Sequence, residues 1–290
     1  MPPGSPPHIE TFEHGGAALV VEVLTDSSAS SRRHLPDRPD GPDQPDLVFL
    51  HGWGANRESL RGIAVLFQHA SRVHLIDLPG FGAAPLPPRD WSTVEYADLV
   101  QQYLASRVTR PFILVGHSFG GRLTLRLAAR HLPNLSAVVL MGTPGLPASA
   151  SLRVIKRWGI RTLRRVLQLV KGLTGPGALD WHTRKYGSKD YLAAGELRQV
   201  LVRTVNENLT DTARQVECPA LLIWGTDDTE TPPSLAFRYR DLMRGPSRIA
   251  MLPHKDHHLY TGTGAHLCAF KMRQWLQTAL GGQAGRAGNL

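Results

Sequence analysis

The sequence predicts an α/β fold in which a mostly parallel sheet carries helices on both faces. Short, continuous apolar segments alternate along the chain with segments of helical periodicity. Strands buried on both faces are typical of parallel sheets, because the crossovers bring helices to each side. The 290 residues, 42% of them hydrophobic, suffice for one such domain with an insertion.

Each predicted strand is a run of apolar and β-branched residues that ends at Gly, Pro or a polar turn. In chain order these strands are 17–24, 47–50, 72–82 with its closing Gly/Pro turn, 111–116, 136–142, 219–225 and 247–252.

The predicted helices lie between these strands and show apolar residues at helical spacing. Ser92 followed by Glu95 is a capping box, which marks the start of one helix clearly. In chain order the helices are 57–69, 92–107, 122–132, 233–244 and 264–280.

One segment interrupts the alternation. Residues 146–215 contain helical patterns and no convincing strand, so we expect a helical insertion that forms a lid over the strand ends. The predicted core is then 9–145 together with 216–280. A Pro-rich mobile leader at 1–8 and a mobile tail at 281–290 flank this core.

The net charge of +9 is concentrated in one part of the chain. Residues 145–215 hold thirteen Lys or Arg and five Asp or Glu, so the rest is nearly neutral. A local excess points to the partner or substrate of that segment and does not indicate a nucleic-acid-binding protein. We therefore predict no nucleic-acid partner.

Other function classes lack their sequence signals. There is no apolar run long enough to cross a bilayer and no secretory leader, so we expect a cytoplasmic protein without a transmembrane segment. Cys218 and Cys268 have no partner motif and are expected to be thiols. No Cys/His spacing indicates a metal site, and we expect no metal or cofactor.

The stretch Gly116-His117-Ser118-Phe119-Gly120 fits G-x-S-x-G, between a predicted strand and a predicted helix. In that context the pattern places Ser118 on a strained turn with its hydroxyl exposed. The following helix directs free N–H groups to the same point, where they favour a developing oxyanion. The motif predicts a nucleophilic serine.

Four landmarks together resemble the α/β-hydrolase family. They are "HGWG" after one strand, "GHSFGG" after a later one, "WGTDDTETP" after the next-to-last strand and a histidine after the last strand. The order Ser, Asp, His along the chain is that of the family. The resemblance covers about residues 16–280 and implies an α/β-hydrolase fold with a helical lid.

The resemblance implies that Ser118 is the nucleophile and that Asp228 orients the base. The family pattern W-G-x-x-D-x-x-x-P is matched by Trp224, Gly225, Asp228 and Pro232. Asp227 and Glu230 stay open as alternative acids. An acid after the strand at 136–142 is excluded, because no Asp or Glu occurs between Asp98 and Asp180.

Three histidines are candidates for the base. Aligned from Leu252-Pro253, the family pattern selects His257, with His258 and then His254 as alternatives. Asp256 stands where the family commonly has Gly, which leaves the geometry of that turn open.

The resemblance also implies an oxyanion hole made by the backbone N–H groups of Trp53 and Phe119. The Trp53 side chain is a candidate for a wall of the acyl pocket. His51 and His117 are expected to support the neighbouring loops rather than to act as bases.

These roles imply a serine hydrolase that cleaves a carboxylic ester or thioester of a small-molecule acyl substrate. Cleavage of carbon–carbon bonds in vinylogous diketones, perhydrolase chemistry and a non-catalytic receptor or interaction module remain alternatives within the family. The predicted basic helix at 151–172 suggests an acidic partner, such as an acyl carrier, a CoA or phosphate group, or an anionic membrane surface.

Overall fold

The computed structural model describes residues 8–25, 45–88, 91–147 and 194–279. Their centre is one sheet of eight strands in the order β1-β2-β4-β3-β5-β6-β7-β8. The strands are β1 His8–His14, β2 Ala17–Leu24, β3 Asp46–Leu50, β4 Val73–Asp77, β5 Phe112–His117, β6 Leu135–Met141, β7 Ala220–Gly225 and β8 Ser247–Leu252.

Strands β3 to β8 pair in parallel, whereas β2 is antiparallel to both β1 and β4. The described helices are α1 Glu58–Ala64, α2 Thr93–Arg107, α3 Phe119–Ala128, α4 Arg198–Asn206, α5 Thr210–Ala213, α6 Ser234–Leu242 and α7 Thr263–Ala279, and a short 3-10 helix spans Gly195–Leu197.

The side chains of the central strands alternate between two apolar cores. In β3, Leu47 and Phe49 pack on the side of α1 and α7, whereas Val48 and Leu50 pack on the side of α2 and α3. Because successive residues of a strand point to opposite faces, a continuous apolar run fills both cores at once. This arrangement confirms the predicted α/β-hydrolase fold class.

The strand β1 was not predicted, and it begins at His8, the last residue that the sequence assigned to the leader. Helix α1 is shorter than the predicted 57–69 and ends at Ala64. Helix α3 begins directly at Phe119, three residues before its predicted start. The capping box of α2 is present as predicted, with Ser92 and Glu95 bonding each other's backbone.

The predicted basic helix at 151–172 lies outside the described residues, as does most of the predicted lid. From residue 194 to Ala213 the described part holds the 3-10 turn, α4 and α5, with a short non-helical link at 207–209. The division into core and lid stays a prediction. Within the described ranges, no helix has the length and apolar character needed to cross a membrane, and Cys218 and Cys268 are both free thiols.

The loops that follow the parallel strands meet at one edge of the sheet, because the strands run in the same direction. The segments after β3, β5, β6, β7 and β8 all begin there. In open α/β sheets, ligand sites form at the carboxyl ends of the strands. Any site built from several of these loops therefore lies at this edge.

The carboxylate of Asp77, at the end of β4, holds two of the loops at this edge together. It accepts the backbone N–H of Arg57 at 2.7 Å and that of Ala83 at 2.9 Å, and it also binds the Arg57 guanidinium. Gly82 has φ +58° and a Cβ there would lie 2.4 Å from the Asp77 carboxylate, so only glycine fits. Asp77 is fully buried, so its carboxylate is a structural support for these two loops.

Replacing Asp77 by Ala should destabilise the protein by about 3 kcal/mol, because it leaves the backbone N–H groups of Arg57 and Ala83 without their acceptor and removes the buried carboxylate that binds Arg57 Nη1. Urea unfolding measures the change. The matched control is Glu58→Ala, which removes an exposed carboxylate that also pairs with Arg57 and should cost less than about 1 kcal/mol. Equal losses in the two variants would contradict the role assigned to Asp77.

Candidate active site

Ser118 occupies the tight turn between β5 and α3. Its backbone has φ 48° and ψ −107°, a conformation that non-glycine residues rarely adopt. The turn is held by the Ser118 N–H, which donates to the Met141 carbonyl oxygen at 2.9 Å. Strained backbone of this kind persists only where surrounding contacts enforce it, and such sites cluster where a side chain must be presented.

The glycines on either side of Ser118 are required by close packing. A Cβ on Gly116 would lie 2.5 Å from the Gly120 carbonyl oxygen, and a Cβ on Gly120 would lie 2.1 Å from the Leu50 carbonyl oxygen. Real side chains do not approach backbone atoms that closely. The G-x-S-x-G spacing thus lets α3 start against the end of β3, with Ser118 on top of the turn.

His257 and Asp228 are joined directly. Nδ1 of His257 lies 2.9 Å from Oδ2 of Asp228, and both side chains are almost fully buried. Asp228 also accepts the backbone N–H groups of Glu230 at 3.0 Å and Thr231 at 2.7 Å, both at Oδ1. With its carboxylate surrounded by donors, Asp228 is fixed in position and acts as an acceptor for Nδ1–H.

Hydrogen bonds and opposite charges together outweigh the effect of burial on the pKa values of both Asp228 and His257. Burial alone favours the neutral acid, but the hydrogen bonds from His257 and Thr231 keep the pKa of Asp228 below its usual range. Burial likewise disfavours the imidazolium, yet Asp228, with smaller contributions from Glu230 and Asp256, raises the pKa of His257 above its ordinary value. The site therefore stabilises a positive charge on His257.

Thr231 and Gly142 also contact the Asp228–His257 pair, and neither was predicted from the sequence. The Thr231 hydroxyl donates to Asp228 Oδ2 at 2.6 Å and lies 3.2 Å from His257 Nδ1. Gly142 follows β6 with φ +49°, and a Cβ there would lie 3.2 Å from the His257 ring. The feature that could have identified Thr231 is its hydroxyl side chain, three positions after the predicted acid Asp228.

Ser118 is connected to the Asp228–His257 pair through the residue before it, His117. The His117 Nε2–H donates to the His257 carbonyl oxygen at 2.9 Å, and the two rings are 4.8 Å apart between centroids. Among the described residues no hydrogen bond joins Ser118 to His257, and the Ser118 residue is partly exposed. The structure brings Asp228 and His257 into contact and places Ser118 near them. It shows no hydrogen bond between Ser118 and His257, which are both described residues.

The alternative residues occupy other positions. His254 is largely exposed and lies 3.9 Å from Asp227, and the His258 ring is exposed as well. Glu230 has its carboxylate near Nε2 of His257, at 3.7 Å, and not near Nδ1. The carboxylate on Nδ1 is that of Asp228.

The "HGWG" loop after β3 packs against the Ser118 turn. The Gly120 N–H donates to the His51 carbonyl oxygen at 2.9 Å, and a Cβ on Gly52 would lie 3.5 Å from the Ser118 Cβ. Among the described residues, the backbone N–H groups of Trp53 and Phe119 donate to no acceptor. Two amide donors next to the serine are thus available to a negatively charged oxygen.

Aromatic rings line the same corner. The Trp53 ring packs edge-on against Phe81 at 5.0 Å and against Phe119 at 5.5 Å between centroids. Phe81 and Phe119 are buried, whereas Trp53 is partly exposed. This geometry gives Trp53 an apolar face at the edge of the site.

His51 and His117 are neutral supports. Burial lowers the pKa of His51 to about 4, and its ring donates from Nδ1 to the Gly52 carbonyl oxygen and accepts the Leu78 N–H at Nε2. Burial, followed by the positive charge of His257, lowers the pKa of His117 to about 3. Both rings hold loops in place, as expected.

Within the described ranges, no group of three or more His, Cys, Asp or Glu side chains is arranged to hold a metal ion.

Comparisons with known proteins agree with this architecture. A family model described as the alpha/beta hydrolase family matches residues 47–268. The chain belongs to the alpha/beta hydrolase family, since this match spans well over half of its length.

Two relatives and one solved structure illustrate the likeness. A pimeloyl-[acyl-carrier protein] methyl ester esterase from Chromobacterium violaceum is 32% identical over 205 residues, which are 65% of this chain and 78% of that protein. A 2-succinyl-6-hydroxy-2,4-cyclohexadiene-1-carboxylate synthase from Salmonella typhimurium is 34% identical over 118 residues, which are 39% of this chain and 44% of that protein. A crystal structure of a membrane phospholipase A has a TM-score of 0.69 at 18% identity, covers 94% of this chain and 86% of that chain, and shares the fold.

The family match and the esterase relatives support an enzyme of the ester-hydrolysing kind.

Replacing Gly120 by Ala should destabilise the protein by about 2 kcal/mol, because the new Cβ meets the Leu50 carbonyl oxygen. Alanine normally stabilises a helix relative to glycine. A loss of stability in Gly120→Ala would therefore indicate the steric clash. Gly62→Ala in α1 is the matched control, since its Cβ would lie 3.3 Å from the Ala265 Cβ, a contact that a small shift between α1 and α7 relieves, and it should cost less than Gly120→Ala. Thermal and urea unfolding measure both variants, and an unchanged stability in Gly120→Ala would refute the packing argument.

Proposed function

We propose that the protein is a serine hydrolase that cleaves a carboxylic ester or thioester through an acyl-enzyme intermediate. Ser118 is the nucleophile, His257 the general base and Asp228 the acid that orients it. The observation that carries the proposal is the 2.9 Å contact between His257 and Asp228 beside a serine in a strained strand-to-helix turn.

The first step is acylation of Ser118. His257 Nε2 takes the hydroxyl proton as Oγ attacks the carbonyl carbon, and Asp228 stabilises the imidazolium that forms. The hydrogen bond between Oγ and Nε2 forms in the complex with substrate, since such bonds are often long or absent in unliganded enzymes. The bond between the carbonyl carbon and the leaving group then breaks, and the leaving group takes the proton from Nε2.

The second step is release of the acyl group by water. His257 removes a proton from water, the hydroxide attacks the ester carbonyl, and the proton returns to Ser118 Oγ as the acid leaves. In both steps the carbonyl oxygen carries a negative charge in the tetrahedral intermediate. The N–H groups of Trp53 and Phe119 are the proposed donors to that oxygen, which agrees with their lack of another acceptor among the described residues.

Replacing Ser118 by Ala should lower kcat/KM for p-nitrophenyl esters by at least about a thousandfold while the fold is kept. Labelling by a fluorophosphonate probe should be rapid in the unmodified protein and absent in the variant. The same assays run on thioesters and ring-fission diketones distinguish ester hydrolysis from carbon–carbon cleavage. Undiminished turnover in the variant, or no labelling of the unmodified protein, would exclude the proposal, and the latter would favour a non-catalytic module.

The acyl substrate is proposed to be attached to an acidic carrier. One relative named above is an esterase for a carrier-bound methyl ester. The local excess of Lys and Arg over 145–215 supplies the complementary charge in this chain. An acidic carrier protein would be attracted to that segment over a distance comparable to the Debye length.

For such a carrier-bound ester, kcat/KM should fall by about tenfold or more between about 20 mM and about 500 mM salt, because the attraction is screened. A neutral p-nitrophenyl ester of the same acyl chain is the matched control and should respond little. The same salt dependence for both substrates would argue against a carrier, while leaving the serine mechanism in place.

A further inference from the structure

Glu230 presents a carboxylate to the second nitrogen of His257. Its Oε2 lies 3.7 Å from Nε2, on the opposite side of the ring from Asp228. The Glu230 side chain is 58% exposed, whereas Asp228 is almost fully buried. The two carboxylates therefore act on the same imidazole from different environments.

The position of Glu230 is fixed by the turn that carries it. Its backbone N–H donates to Asp228 Oδ1 at 3.0 Å, and the next residue, Thr231, donates both its N–H and its hydroxyl to Asp228. The Thr231 carbonyl oxygen in turn accepts the indole N–H of the buried Trp224 at 2.9 Å. The backbone that carries the Glu230 side chain is thus anchored on both sides.

A carboxylate at Nε2 favours one protonation state of the ring. In neutral His257 the proton resides on Nδ1, where Asp228 accepts it, and Nε2 carries a lone pair that cannot donate. The doubly protonated imidazolium, in contrast, directs an N–H to each side and is attracted by both carboxylates. Nε2 is also the atom that must be unprotonated to accept the proton of Ser118.

We propose that Glu230 is a positioning residue that stabilises the protonated, inactive form of His257 and thereby shifts the acid limit of the enzyme's activity to higher pH. The inference rests on the proposed serine hydrolase function. As the pH falls, the imidazolium is held between Asp228 and Glu230, and no base is available to Ser118. Without the Glu230 charge, His257 should lose its proton at a lower pH and the enzyme should stay active there.

Other ionisable groups around His257 do not replace Glu230. Asp256 contributes to the positive shift in the pKa of His257, but its Oδ1 accepts the His258 N–H at 2.9 Å. His258 itself is exposed, with its ring 5.7 Å from that of His257.

The remaining two rings are uncharged at neutral pH. His117 is buried with its pKa lowered to about 3, and burial raises the pKa of Tyr260 above its usual value. Asp228 acts at Nδ1 in both protonation states. Of the described carboxylates, Glu230 is the one paired with Nε2.

The test compares Glu230→Gln with the control Asp227→Asn. Asp227 is equally exposed, at 58%, and its carboxylate lies 3.9 Å from His254. The His257 pKa is measured by NMR titration of the ring nitrogens, with the resonance assigned by its loss in His257→Gln. We expect the midpoint to fall by about 0.5 to 1 pH unit in Glu230→Gln and to stay unchanged in Asp227→Asn.

The acid limb of the kcat/KM profile should move by the same amount and in the same direction, because both report the free enzyme. The difference between the unmodified protein and Glu230→Gln should shrink at high salt, since Glu230 is exposed. A purely structural role would change the melting temperature and leave the titration midpoint in place.

An unchanged His257 midpoint in Glu230→Gln, or an equal shift in Asp227→Asn, would overturn the inference. The NMR titration needs no turnover, so it gives an answer even if the substrate is misassigned. Full activity of Ser118→Ala would instead overturn the proposed function, whichever way His257 titrates.

Discussion

The crowding of backbone atoms where β5 meets α3 is the constraint on which the rest of the site depends. Side chains are excluded at Gly116 and Gly120 by carbonyl oxygens of α3 and β3, respectively. The helix can therefore start immediately after the strand, and Ser118 takes the positive φ of the turn. Hydrogen bonds from Ser118 to β6 and from Gly120 to the loop after β3 offset the cost of that conformation. A serine on a relaxed loop would not be tied to three neighbouring strands.

The electrostatics of His257 follow from the difference in burial between its neighbours. Asp228 is surrounded by N–H and O–H donors, which keep it charged despite its burial. Glu230 needs no such donors, because water solvates it. The buried carboxylate of Asp228 consequently orients the imidazole through Nδ1, and the exposed carboxylate of Glu230 lies near Nε2. Asp228 thus both orients the ring and contributes most to the raised pKa of His257, and Glu230 adds a smaller contribution at the other nitrogen.

Much of this could be predicted from the sequence, because it depends on local patterns. Apolar runs identify strands buried on both faces, and the spacing of glycines around Ser118 reflects close contacts with backbone carbonyl oxygens at Gly116 and Gly120. The choice of Asp228 and His257 came from the family pattern, and the structure brings these two side chains together. A hydrogen bond between Ser118 and His257 depends on side-chain conformation, which sequence patterns do not specify.

Other features were missed for identifiable physical reasons. Strand β1 is an edge strand in which Phe12 packs on the core, against Tyr103, while most of its other side chains are exposed. It therefore lacks the apolar alternation that predicts a strand. The roles of Thr231 and Glu230 depend on how one turn folds around Asp228. The family spacing favoured Asp228 as the acid on Nδ1 and left Glu230 as an alternative.

The bond from His117 to the His257 carbonyl oxygen has a dynamic consequence. It couples the loop that carries the imidazole to the strand that carries the hydroxyl, so thermal displacements of the two are correlated. Relative motion between the reacting groups is then smaller than the motion of either with respect to distant parts of the chain. For the proposed proton transfer, this coupling limits how far the Ser118 turn and the loop of His257 can separate as the surrounding loops fluctuate.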